Sequence, residues 1–165
     1  MARGRWPILV LALGTAPLVQ GQDSGFGLGI MLGEPTGLSA KAWTGGRNAI
    51  GMGLAWGGWG RGGYFHLHGD YLFHNFDLIN VGAGRLPLYY GPGLRLRSWT
   101  GHRYWHGGHH HDGDRLDLGV RFPVGLAYLV DQAPVDIFAE VVPTLDLVPS
   151  TGLELDFALG ARFWF

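Results

Sequence analysis

From Gly25 to Phe165, apolar side chains recur at every second position in one run after another. That period belongs to a β-strand, whose side chains alternate between two faces, and no stretch sustains the 3.6-residue period of a helix. The chain is therefore expected to be all-β. In 25–33, Phe26, Leu28, Ile30 and Leu32 alternate with glycines and Met31; in 37–44, Leu38, Ala40 and Ala42 oppose Ser39, Lys41 and Trp43. In 48–57, Ile50, Met52, Leu54 and Trp56 oppose small residues; in 64–74, Phe65, Leu67, Tyr71 and Phe73 oppose His66, His68, Asp70 and His74. In 86–97, leucines and Tyr90 oppose Tyr89, Arg95 and Arg97; in 115–130, Leu116 to Val130 oppose Asp117, Arg121 and glycines. In 135–148, Val135, Ile137, Ala139, Val141, Leu145 and Leu147 oppose Asp136, Phe138, Glu140, Thr144 and Asp146. In 152–165, Leu153, Leu155, Phe157, Leu159, Phe163 and Phe165 oppose Glu154, Asp156, Gly160, Arg162 and Trp164.

Eight strands result, mostly eight to sixteen residues long. A strand tilted across a bilayer needs ~9–11 residues. Glu34-Pro35-Thr36-Gly37, Gly45-Gly46-Arg47 and Asp131-Gln132-Ala133-Pro134 read as turns, and 57–63, 80–85 and 98–114 as longer connections. The last is expected to be a long polar loop. Pro92, Pro123 and Pro143 fall inside strands, where a missing N–H predicts bulges or kinks.

Composition narrows the class. Apolar residues make up 47% of the chain, which argues against disorder. The 30 glycines have no three-residue period, which excludes collagen. A net charge of -1 gives no reason to expect a nucleic-acid partner. With no cysteine, disulfides, thiolate metal sites and thiol nucleophiles are excluded.

Residues 1–21 are expected to be a cleaved signal peptide: Arg3 and Arg5 precede an apolar stretch from Pro7 to Val19, and Gly21 stands at the cleavage position. Residues 22–165 then form one domain. After loss of Arg3 and Arg5 its charge is 10 basic minus 13 acidic, or -3. The stretch is short for a membrane anchor helix, which needs ~20 apolar residues.

Alternation alone does not orient the sheet, because a soluble barrel buries its apolar face and a membrane barrel shows it to lipid. The polar face settles the expectation. It carries Lys41, Arg95, Arg97, Arg121 and Arg162 against Asp70, Asp117, Asp136, Glu140, Asp146, Glu154 and Asp156, interspersed with glycine. Water-facing strands have little use for so many glycines. An eight-stranded barrel has an interior just wide enough for side chains to fill, and there glycine makes room while mixed charges neutralise one another. The expected fold is an eight-stranded antiparallel up-and-down transmembrane β-barrel. Its polar network would lie inside and would comprise those twelve residues with His66 and His68. Trp43, Trp56, Trp59, Tyr64, Phe73, Phe76, Tyr89, Tyr90, Trp99 and Phe163 lie near strand ends, as interfacial girdles would require. An even strand number puts both termini on one side, the periplasm, and the loop 98–114 on the other.

GLGIMLGEPTGLSAKAW (27–43), LHGDYLFHNFDLI (67–79), GRLPLYYGPGLRLR (84–97) and the segment 118–149 resemble a family of small, functionally uncharacterised bacterial outer-membrane barrels similar to the OmpA transmembrane domain. The resemblance implies residence in the outer membrane and brings no catalytic residues. Gly160, Phe163 and Phe165 are similar to the C-terminal assembly signal of such barrels, which implies the barrel assembly machinery and outer-membrane lipids as partners.

Three groups could carry chemistry. His102, His106, His109, His110 and His111 lie within ten residues beside Asp112 and Asp114, and neutral imidazoles bind zinc, copper or nickel. They could equally be solvated side chains of a flexible loop. Trp99, Tyr104 and Trp105 could form a partner surface or membrane anchors. His66, His68 and Asp70 could supply a general base, but no serine or threonine lies near them in sequence, and Ser39 is the one serine on the polar face. Structural hydrogen-bond partners are the expected role. Gly25 to Gly29 opens a strand rather than a helix and is no nucleotide loop.

The sequence thus points to a monomeric, non-enzymatic outer-membrane barrel with a plugged interior and no cofactor, serving envelope structure or surface interactions. The alternatives are a lipid-modifying barrel enzyme of acyltransferase or deacylase type, a metal- or ligand-binding surface protein, and a soluble lipocalin-like periplasmic barrel.

Overall fold

The computed structural model describes residues 24–57, 63–106 and 109–165, with side chains described outside 101–114. The expected signal peptide and Trp59 lie outside the described residues. All regular structure described is strand. The strands are β1 (Phe26–Gly33), β2 (Gly37–Gly45), β3 (Asn48–Gly57), β4 (Gly63–Asn75), β5 (Leu88–Tyr90), β6 (Gly93–His106), β7 (His109–Arg121), β8 (Val124–Leu129), β9 (Val135–Val148) and β10 (Gly152–Trp164).

These ten strands make eight staves. β5 and β6 are one stave interrupted at Gly91-Pro92, since both pair with β4. β7 and β8 are one stave interrupted at Phe122-Pro123, since both pair with β9. Every neighbouring pair is antiparallel, and β10 pairs with β9 on one side and β1 on the other. The sheet therefore closes on itself as an up-and-down barrel. Closure runs from Gly27↔Trp164 to Gly33↔Ala158 and leaves no open edge.

Proline explains the interruptions. It has no N–H for the ladder but keeps its carbonyl. Pro92 accepts from Tyr71 N–H at 2.9 Å and Pro123 from Gly91 N–H at 3.2 Å. Pro143, by contrast, sits opposite Leu155 within an unbroken β9. Its carbonyl accepts from Phe122 N–H at 2.9 Å.

At one end of the barrel β1 meets β2, β3 meets β4, β6 meets β7 and β9 meets β10. The other carries both ends of the barrel chain and the reversals 46–47, 76–87 and 130–134, the grouping that even strand number dictates. We call these the hairpin end and the terminus end. At the terminus end the exposed Arg47 donates to Asp77 at 2.5 Å, and that hydrogen bond, with the guanidinium charge, holds the Asp77 carboxyl below its ordinary range. Of residues 98–114, expected as a loop, 98–106 and 109–114 instead continue β6 and β7, paired from Ser98↔Leu116 through a bulge after Trp99 to His106↔His109.

The two faces point as the charge pattern demands. Leu94 is 67% exposed and Phe157 57% on the outer wall, whereas Arg95 and Arg121 are 2% and 1% exposed inside. The opposite sidedness, that of a soluble lipocalin-like barrel, is not found. The expected girdle needs correcting. Trp56, Phe73, Tyr90 and Phe163 do lie on the outer wall, but Tyr89 is buried inside and Trp43, Tyr64 and Trp99 share the interior face with Lys41, His66 and Arg97.

Candidate functional site

Among the described residues, ionisable side chains are gathered out of water in the barrel interior, and strand alternation puts them there. Near the hairpin end, Arg95 of β6 donates to Asp146 of β9 at 2.6 Å, and to Glu154 and Asp156 of β10 at 2.9 and 3.0 Å. Arg97, two residues on, donates to Glu154 through both Nη atoms at 3.0 and 2.9 Å. Its Nε donates to Asp117 of β7 at 3.1 Å. Asp117 also accepts from Arg115, which the sequence reading had not placed in the network. Fork-shaped guanidinium groups suit such sharing, because each offers five donors in a fixed plane.

At mid-height Arg121 Nε lies 3.0 Å from Asp70 Oδ1, an ion pair off the line of a hydrogen bond, and 3.3 Å separates its Nη2 from Glu140. Tyr89 donates its hydroxyl to Glu140 at 2.7 Å. A file of polar groups climbs β4 from there. His68 Nε2 is 3.9 Å from Asp70, His68 Nδ1 is 3.2 Å from His66 Nε2, and Tyr64 Oη is 3.0 Å from His66 Nδ1. The i, i+2 spacing of these residues stacks them on one face of one strand.

Near the terminus end Arg162 Nε lies 3.0 and 3.3 Å from the two oxygens of Asp136, which also accepts the Trp164 indole N–H at 3.1 Å. Ser39 Oγ is 3.5 Å from Arg162 Nη1, so the one interior serine belongs to this group. Lys41 lies among the rings of Trp43, Tyr89 and Trp164, with centroids at 4.8, 5.3 and 6.0 Å. Its ammonium position is 2.6 Å from His74 Nε2. His74 Nδ1 faces the Arg47 carbonyl at 3.1 Å; a carbonyl only accepts, so Nδ1 carries the hydrogen and Nε2 accepts from Lys41.

All fourteen residues expected in the interior network are therefore on the inner face. Glu154 is the least buried of them, its side chain 39% exposed. Sequence reasoning missed an apolar plug inside the same lumen: Met31, Leu72, Ala127, Leu129 and Phe138 cluster with Tyr89, and Phe76 packs against them. The signal was available in parity, since Leu72 falls between Asp70 and His74 and Phe138 between Asp136 and Glu140 in the inward set. Among the terminal residues, Phe163 and Phe165 face outward with ring centroids 5.1 Å apart, while Gly160 lies against the Phe138 ring inside. The side chains of His102, His106, His109, His110 and His111 lie outside the described ones.

An apolar groove of about 560 Å³ also opens on the described surface. Leu32, Leu88, Val124, Val141, Phe157 and Leu159 line it around Ala139, so it belongs to the outer wall. What the arrangement offers chemically is an ion-paired interior of mixed charge, with carboxylates in slight excess, and an apolar exterior.

A closed antiparallel barrel of eight staves, apolar outside and ionic within, has the architecture of the small membrane-spanning barrels. Among solved structures the chain is similar to the crystal structure of the N-terminal β-barrel domain of Pseudomonas aeruginosa OprF, with a TM-score of 0.59 at 15% identity over 88% of this chain and 100% of that one. At that identity the likeness is one of fold. No family model matches the chain, and no curated protein matches it.

Proposed function

We propose that the chain is an integral, monomeric outer-membrane barrel of a bacterium, built as a sealed structural element rather than a pore or an enzyme. It serves envelope structure or contacts at the cell surface and belongs with the small uncharacterised barrels that its motifs resemble. The observation that carries this reading is the inversion of the wall. A bilayer gives the outward leucines and phenylalanines a favourable surround, and burial inside the cylinder pairs the charges that lipid would penalise. The likeness in fold to an outer-membrane barrel domain supports it, as does the export signal read in residues 1–21.

The interior argues against conduction. Arginine–carboxylate clusters and the apolar plug lie on the inner face, and eight staves leave an interior just wide enough for side chains to fill. The terminus end then faces the periplasm, and the β6–β7 hairpin extends beyond the cell surface. Outer-membrane lipids surround the wall, and Gly160, Phe163 and Phe165 present the terminal stave to the assembly machinery. Expression of the full chain in a Gram-negative host tests the reading. The folded protein should fractionate with outer membranes and run on a gel at a different mobility before and after boiling. A protein recovered in the soluble periplasm, with one mobility under both conditions, would contradict it.

A further inference from the structure

The β6–β7 hairpin does more with its histidines than a loop could. Its register pairs His102 with Gly113, Tyr104 with His111, Trp105 with His110, and His106 with His109. Directly opposed residues in an antiparallel ladder share a face, and alternate residues of a strand share it too. His102, Tyr104, His106, His109, His111 and Gly113 therefore occupy one face, and Arg103, Trp105, His110 and Asp112 the other. A run of five histidines in the sequence is thus sorted four to one. The four-histidine face follows the parity of Asp117 along β7, so it continues the barrel's inner face.

Spacing then divides the four. Opposed positions lie ~4.5–5.5 Å apart at Cβ and diagonal ones ~7–8 Å, within reach of long side chains. That covers the pair His106–His109 and the diagonal His106–His111. His102 is also diagonal to His111, but it lies four residues from His106, ~13 Å along the strand, too far to join an ion held at the His106–His109 pair with nitrogen–metal distances of ~2.0–2.1 Å. We propose that the hairpin binds one divalent transition-metal ion where its register brings His106, His109 and His111 together, with His102 and His110 outside the site. Three imidazoles with an open coordination position suit zinc, nickel or copper. The site belongs to the hairpin, and it stands or falls independently of the envelope role.

The test is calorimetry with Zn2+ on the full chain refolded in detergent micelles, each variant first checked for heat-modifiable mobility. One equivalent should bind to wild type. His106→Ala, His109→Ala and His111→Ala should each weaken binding about tenfold or more. His102→Ala and His110→Ala should leave it within about twofold. On wild type alone, Zn2+ should protect His106, His109 and His111 from diethyl pyrocarbonate while His110 stays reactive, which serves where a variant fails to refold. No Zn2+ binding by wild type, loss in His110→Ala equal to that in His109→Ala, or equally tight binding by the urea-unfolded chain would each overturn the proposal.

Discussion

Asp136 is fully buried and serves two donors, Arg162 Nε and the Trp164 indole. Removing one partner of such a pair strands the other's charge, a cost of about 3–5 kcal/mol, whereas replacing both with apolar groups can be neutral or stabilising. Asp136→Ala should therefore lower stability by that order in urea unfolding of the refolded barrel, and Asp136→Leu with Arg162→Met should recover most of it. A single variant within about 0.5 kcal/mol of wild type would show that water reaches Arg162. At this scale the sequence was legible wherever a residue's chemistry was unambiguous: every Arg, Asp and Glu assigned inward is inward. Aromatic residues were less so. Trp43 and Tyr89 suit an interfacial belt or a buried cation site equally well by type. Only their parity with Lys41 and Gly91 places them inside, where Tyr89 reaches Glu140 and both rings flank Lys41.

Strands pack here through an exchange of glycine for bulk on the inner wall. A Cβ on Gly125 would lie 2.5 Å from the Tyr89 ring, one on Gly53 2.2 Å from His68, and one on Gly160 2.5 Å from Phe138 and 2.4 Å from the Ile30 carbonyl. Gly69, on the outer wall, would meet nothing within 4 Å. Gly160→Val should thus prevent the β10–β1 seam from closing, since the Ile30 backbone cannot move aside without breaking the ladder. Gly69→Ala should refold like wild type. The heat-modifiable fraction after refolding reads both; a Gly160→Val protein that folds fully would remove the steric account of the seam. Alternation made the eight staves visible in advance, and proline marked two of the three breaks considered. Pro143 stays within an unbroken β9, where it faces Leu155 on one side and the interruption between β7 and β8 on the other. Residues 98–114 looked like a loop because glycine, histidine and aspartate carry weak strand propensity. Cross-strand pairing overrode propensity there, since the flanking staves already fix the register from which the hairpin grows.

As a whole the molecule inverts the arrangement of a soluble domain. Eight staves leave a narrow interior suited to being filled by side chains, and here that interior carries ion pairs. Charge parity made the sidedness legible from sequence; the apolar plug was not seen because Leu72 and Leu129 look like outward residues until their positions are counted, and Phe138 and Met31, though assigned to the polar face, were not linked to them. The central claim is which wall meets hydrocarbon. The chain contains no cysteine, so single nitroxide labels can be placed at will. In lipid vesicles, labels at Leu94→Cys and Phe157→Cys should collide freely with oxygen, which partitions into hydrocarbon, and rarely with a water-soluble nickel chelate; a label at the exposed Arg47→Cys turn should do the reverse. Labels at positions 94 and 157 that meet the chelate as readily as one at position 47 would contradict the account.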